Sequence, residues 1–143
     1  YLLLNVDETE KFDEMLKRIL SISEVFQLDT LHPSSSVTLY LTAAQGYAMQ
    51  GNTEKAFNML SKYAEICTSN FFPLTLHGDD FFDSIDEWFN EFDLGVKPPR
   101  DEKTIKESII QAIIENPVFS ELSEEPKYKS IIEAMKFKLG DNV

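Results

Sequence analysis

The 143-residue sequence predicts an all-α protein built from antiparallel helical hairpins, and three observations carry that prediction. Apolar residues recur at the three- and four-residue intervals that line one side of a helix. The six prolines fall between these stretches rather than inside them. Apolar–polar alternation, the mark of a half-buried strand, is never sustained, and valine is scarce.

Taken in order, Phe12, Met15, Leu16, Ile19, Leu20 and Phe26 predict one buried face of a first helix over residues 8–28, with Asp7 as its cap. The turn Leu31-His32-Pro33-Ser34 ends it, and Ser35 or Ser36 starts a second helix running to Gln50. Gly51-Asn52 breaks that helix, and Thr53 caps a third that reaches Ser69. A longer connection holds Phe71-Phe72-Pro73 and Gly78. A fourth helix is expected to start near Asp79 or Asp80, with Phe81, Phe82, Ile85, Trp88, Phe89 and Phe92 along one side. Gly95-Val96-Lys97-Pro98-Pro99 reads as a stiff loop, after which Asp101 caps a fifth helix carrying Ile105, Ile109, Ala112 and Ile113. Asn116-Pro117 pairs a cap with a first-turn proline, Ser123 to Pro126 looks like a second such start, and the last helix ends near Gly140.

Composition narrows the function. The formal net charge of -12 and pI near 4.5 repel phosphates, which argues against nucleic acid and anionic membrane surfaces as direct partners of this chain. The same charge attracts basic peptides or cations. One cysteine, Cys67, allows no internal disulfide and fits the reducing cytoplasm. No apolar run reaches the roughly 20 residues of a membrane span. The opening Tyr1-Leu2-Leu3-Leu4 lacks a start methionine and reads like the tail of a helix. The expectation is therefore a single domain over 1–143, forming the C-terminal fragment of a longer protein.

Residues 36–68 hold the most informative pattern: Tyr40, Ala43, Ala44, Tyr47, Gly51, Ala56, Leu60 and Tyr63. Small residues at 43 and 44 admit a partner helix, Gly51 turns the chain, and Ala56 sits where the second helix crosses the first. This order resembles the tetratricopeptide repeat, departing from it at Tyr63, where a small residue is usual, and at Thr68, where proline is usual. The resemblance implies hairpins stacked as a degenerate right-handed superhelix, with Tyr40, Ala44, Tyr47, Gly51, Ala56 and Leu60 as its packing residues. Further on, Arg100 to Ser108, Asn116-Pro117-Val118-Phe119 and Pro126-Lys127-Tyr128 are similar to the closing segment of such regions in bacterial regulators. With Leu76 to Phe82 preceding Trp88-Phe89, the chain resembles the C-terminal part of Xre-type helix-turn-helix transcriptional regulators. That resemblance implies an upstream DNA-binding domain and a regulatory role for this part.

Candidate sites are few. Seven of the 17 aromatics lie between Phe71 and Phe92. They form either a partner groove or, more simply, the buried stripe Phe81, Ile85, Trp88 and Phe92 of an amphipathic helix. Phe71 and Phe72, in a loop before proline, are the better candidates for a functional surface. Asn58, on a helix, could hold a peptide backbone through its amide, although a plain surface residue is the simpler reading for it and for Asn52 and Asn90. The groove candidates are thus Asn58, Phe71, Phe72, Phe81 and Trp88. Asp79, Asp83 and Asp86 could gather a cation, but no wrapping loop accompanies them, and a solvated helix face is the simpler account. His32 and His77 flank turns without companion ligands at metal spacing. Cys67 reads as a structural thiol.

No catalytic constellation, metal site or cofactor site is expected, and the protein is not expected to be an enzyme. The expected partners are a peptide, a protein or a second copy of the chain, with DNA reached through the upstream domain. The alternatives are a tetratricopeptide-like scaffold or adaptor unconnected with transcription, and a small-molecule-binding helical bundle.

Overall fold

The computed structural model describes residues 4, 8–69, 71–91 and 100–140, and these form helices and loops with no strand among them. Among the described residues seven α-helices follow in order: α1 (Thr9–Val25), α2 (Leu28–Leu31), α3 (Pro33–Met49), α4 (Thr53–Thr68), α5 (Ile85–Asn90), α6 (Glu102–Ile114) and α7 (Pro126–Gly140). A 3-10 segment, Pro117–Leu122, joins the last two.

Helix α1 buries Phe12 and Leu16 but stops three residues short of the predicted end. Phe26 closes it, and Gln27 takes a left-handed conformation at φ 46°, which redirects the chain into the single turn of α2. Phe26 is consequently 46% exposed rather than part of the buried face. The predicted cap, Asp7, lies outside the described residues.

Helix α3 begins at Pro33, not at Ser35 or Ser36. The first turn of a helix has no use for the N–H that proline lacks, so Pro33 starts the helix instead of ending a turn. His32 precedes it, its Nδ1 2.9 Å from the Ser35 hydroxyl. Ser36 lies within the helix and is buried.

The α3–α4 connection is sharp. Gly51 adopts φ 71°, the left-handed geometry that a helix C-terminus favours in glycine. Asn52, rather than Thr53, is the cap of α4, its side-chain oxygen accepting from the Lys55 N–H at 3.2 Å. The two helices then make the most extensive pairing among the described helices. Tyr40, Ala43, Ala44 and Tyr47 from α3 and Ala56, Leu60 and Tyr63 from α4 are all buried in one cluster; Gly51, at the turn, is exposed.

Contacts to the rest of the chain extend that cluster. Phe12 of α1 meets the Tyr47 ring edge-on, centroids 5.0 Å apart. Gly46 makes this approach feasible, because a Cβ there would collide with Cε2 and Cζ of Phe12. On the other side, the buried Tyr63 hydroxyl donates to the Ile109 carbonyl of α6 at 2.8 Å. Ile113, Phe119, Tyr128, Ile132, Met135 and Leu139 continue the same core through α6, the 3-10 segment and α7. Asp101 caps α6 through the Thr104 N–H, and Asn116 caps the 3-10 segment through the Val118 N–H.

The fourth predicted helix is largely absent. Only Ile85–Asn90 is helical, and Phe92 and the loop 95–99 lie outside the described residues. The Asp79 carboxylate accepts from the N–H groups of Phe81 and Phe82, and the Asp86 carboxylate accepts from Gly78 N–H at 2.6 Å. Such local bonds offer the backbone an alternative to the helix.

Candidate functional site

A cleft of about 470 Å³ lies at the far end of the α3–α4 hairpin. Helical spacing builds one wall: Lys62, Glu65, Ile66 and Ser69 fall at i, i+3, i+4 and i+7 along α4 and its C-cap, so they share one side. Tyr40 and Pro33 of α3 and Asp29 and Thr30 of α2 line it as well. The segment from Phe71 to His77, which turns through a cis Phe72–Pro73 bond, closes the remaining side.

The cleft is chemically mixed. Asp29 and Glu65 bring negative charge and Lys62 positive charge to one opening. Burial, then the carboxylates of Asp29, Glu65 and Glu24, holds the Tyr40 phenol above its ordinary range, so it stays a neutral donor and acceptor. His77 donates from Nδ1 to the Gly78 carbonyl at 2.9 Å, since a carbonyl can only accept. Apolar surface comes from Ile66, Phe71, Pro73 and Leu74.

The five groove candidates do not converge here. Phe71 lines the cleft, yet it is only 5% exposed and belongs mainly to the core. Phe72 is half-buried, packed edge-on against Phe71 at 4.9 Å and covered by the Lys106 ammonium 5.0 Å from its ring centre. Asn58 is exposed on α4, one turn before Lys62 and outside the cleft lining. Phe81 and Trp88 are 82% and 54% exposed, which overturns the expectation of a buried stripe. That stripe needs a continuous helix, and the Asp79 and Asp86 bonds replace its first turns. The cleft residues that the sequence did not single out for binding, Lys62 and Glu65 above all, have only their helical spacing as a signal.

Asp79 and Asp86 hold backbone N–H groups. Among the described residues, no group of three or more His, Cys, Asp or Glu side chains is placed to hold a metal ion. Cys67 is buried, and burial pushes its thiol up to about 12. No helix among the described residues is long and apolar enough to cross a membrane.

No family model matches the chain, and neither does any curated protein or solved structure.

Proposed function

We propose that this chain is the regulatory, partner-binding domain of a helix-turn-helix transcriptional regulator. Its hairpins are read as a degenerate right-handed tetratricopeptide-like superhelix working in the cytoplasm. It would bind a peptide, a protein or a second copy of itself and bias a DNA-binding domain in the parent protein.

One observation carries the partner-binding part of the reading: a closely packed α3–α4 hairpin whose end opens into a cleft lined by both signs of charge and by Tyr40. The small buried residues at 43, 44 and 56 support the repeat-like packing. A binding rather than catalytic role is supported by a thiol that is buried and protonated, and by two histidines engaged in local turns. Occupancy of the cleft acts only through different affinities for two arrangements of its walls, and the loop from Phe71 to His77 is the wall not built from a helix.

The test has two arms. This chain alone, titrated into duplex DNA at moderate salt, is expected to give no gel shift; a clear shift at sub-micromolar concentration overturns the division of labour. The residues encoded upstream of Tyr1 are expected to contain about 60 residues of short helices with a basic recognition helix. Further repeats of about 34 residues there would replace the regulator with a scaffold.

A further inference from the structure

The last turns of α1 and the loop after Gly78 together form an apolar surface that the cleft does not use. Phe82 stacks on Phe26 with centroids 6.3 Å apart and receives Phe81 edge-on at 4.9 Å. Ile22 lies one turn before Phe26 on the same side of α1, so the row Ile22–Phe26–Phe82–Phe81 is continuous. Three of its four members are large, exposed hydrophobic side chains, and Phe81 is the most exposed of those in the described chain. Clustered exposure of this kind marks an interaction surface, whereas a single exposed apolar residue does not.

Charge identifies the occupant. Residues 71–91 contain six carboxylates and no Lys or Arg. Asp79 and Asp86 are committed to backbone N–H groups, whereas Asp80, Asp83, Glu87 and Glu91 are exposed. None of those four forms an ion pair among the described residues. A second copy meeting this face with its own would set these carboxylates against like charges, and anionic lipid and nucleic acid are repelled in the same way.

We propose that this face docks a basic amphipathic helix of a partner protein. The apolar side of that helix lies on Phe81, Phe26 and Ile22, and its Lys or Arg side chains face Asp80, Asp83, Glu87 and Glu91. Aromatic anchors supply most of the affinity in such a complex, and the exposed carboxylates supply orientation and rate. The inference rests on the reading of the chain as an interaction module and adds a surface to it. A DNA gel shift would remove the regulator and leave this surface untouched.

The probe is a synthetic peptide of leucine and lysine spaced as an amphipathic helix, titrated by fluorescence anisotropy against the full chain. Binding is expected to weaken about tenfold with Phe81→Ser, the cost of one interface anchor. The triple change Asp80→Asn, Asp83→Asn, Glu87→Gln is expected to flatten the salt dependence. The matched remote change Glu107→Gln, Glu121→Gln, Glu133→Gln is expected to leave both quantities unchanged. Equal effects of the two triple variants would reduce the binding to general charge attraction and overturn the proposal. So would unchanged affinity in Phe81→Ser. A parent chain that sediments as a dimer while Phe81→Ser sediments as a monomer would assign the face to a second copy, and Phe81-dependent binding to neutral phosphatidylcholine vesicles would assign it to lipid.

Discussion

Two glycines show how the same residue type does different work. At Gly51 nothing lies within 4 Å of an added Cβ, so Gly51→Ala meets only the left-handed backbone at φ 71°. That strain costs about 1–2 kcal/mol. At Gly46 the backbone is ordinary helix and the obstacle is the Phe12 ring, which is buried and held against Tyr47. Overpacking there costs about 1–3 kcal/mol and outweighs the helix preference of alanine, which is worth about 1 kcal/mol. Urea unfolding is expected to show both variants destabilised, with Phe12→Leu recovering part of the loss in Gly46→Ala and none in Gly51→Ala. Independent losses in both pairs would show that the ring is not the obstacle. Gly51 was legible in the sequence because glycine before a cap marks a turn; Gly46 was not, because the ring that requires it is 34 positions away. Cys67 gives a second residue-scale expectation. With its thiol buried and pushed up to about 12, it should resist a thiol-reactive disulfide reagent at neutral pH until the chain is unfolded. Rapid labelling of the folded chain would contradict the burial.

Between elements, the deciding group is Tyr63. The hairpin pattern expects a small residue at that position, and the sequence shows the departure without showing its cause. The cause lies 46 residues on, where the Ile109 carbonyl of α6 accepts the Tyr63 hydroxyl across the interface. Tyr63→Phe keeps the ring and leaves that buried carbonyl without its side-chain donor, which is expected to lower stability by about 1–2 kcal/mol. An unchanged unfolding midpoint would mean that the hydroxyl contributes nothing to holding α6 on the hairpin. The other helices were legible to the extent that local signals govern them. Asp101 and Asn116 sit at the starts expected of them and accept from backbone N–H groups there, whereas the cap of α4 is Asn52 in place of the expected Thr53. The fourth helix misled because Phe81, Ile85 and Trp88 keep helical spacing while the acidic side chains beside them bind backbone in competition. The cleft was the least legible feature, since its walls come from α2, α3, α4 and a loop that only the fold brings together.

At the scale of the molecule, Asp13 is where three helices meet. From α1 it accepts from the Tyr47 hydroxyl of α3 at 2.8 Å and from the Lys55 ammonium of α4 at 2.6 Å. These bonds, Lys55 first and Tyr47 second, hold its carboxyl below the ordinary 3.8. The sign of the pH effect follows. A carboxylate depressed on folding adds stability that is fully present above its unfolded pKa and is lost as pH falls through the lower, folded value. The Lys55–Asp13 pair is partly solvent-exposed, so its contribution is no more than about 1 kcal/mol. Asp101 and Glu124 are depressed in the same direction by Thr104 and Lys129, and acid acts on them as well. Against these, protonating carboxylates relieves the self-repulsion of a chain with net charge -12, so the acid response of the parent alone is a difference of opposing effects. Comparison with Asp13→Asn isolates one of them. The variant is expected to be slightly less stable than the parent at neutral pH. The gap should narrow as pH falls below 3.8, because the parent is then losing what the variant already lacks. A gap that stays constant through acid titration of thermal unfolding would show that the Asp13 charge does not help to clamp α1 onto the hairpin.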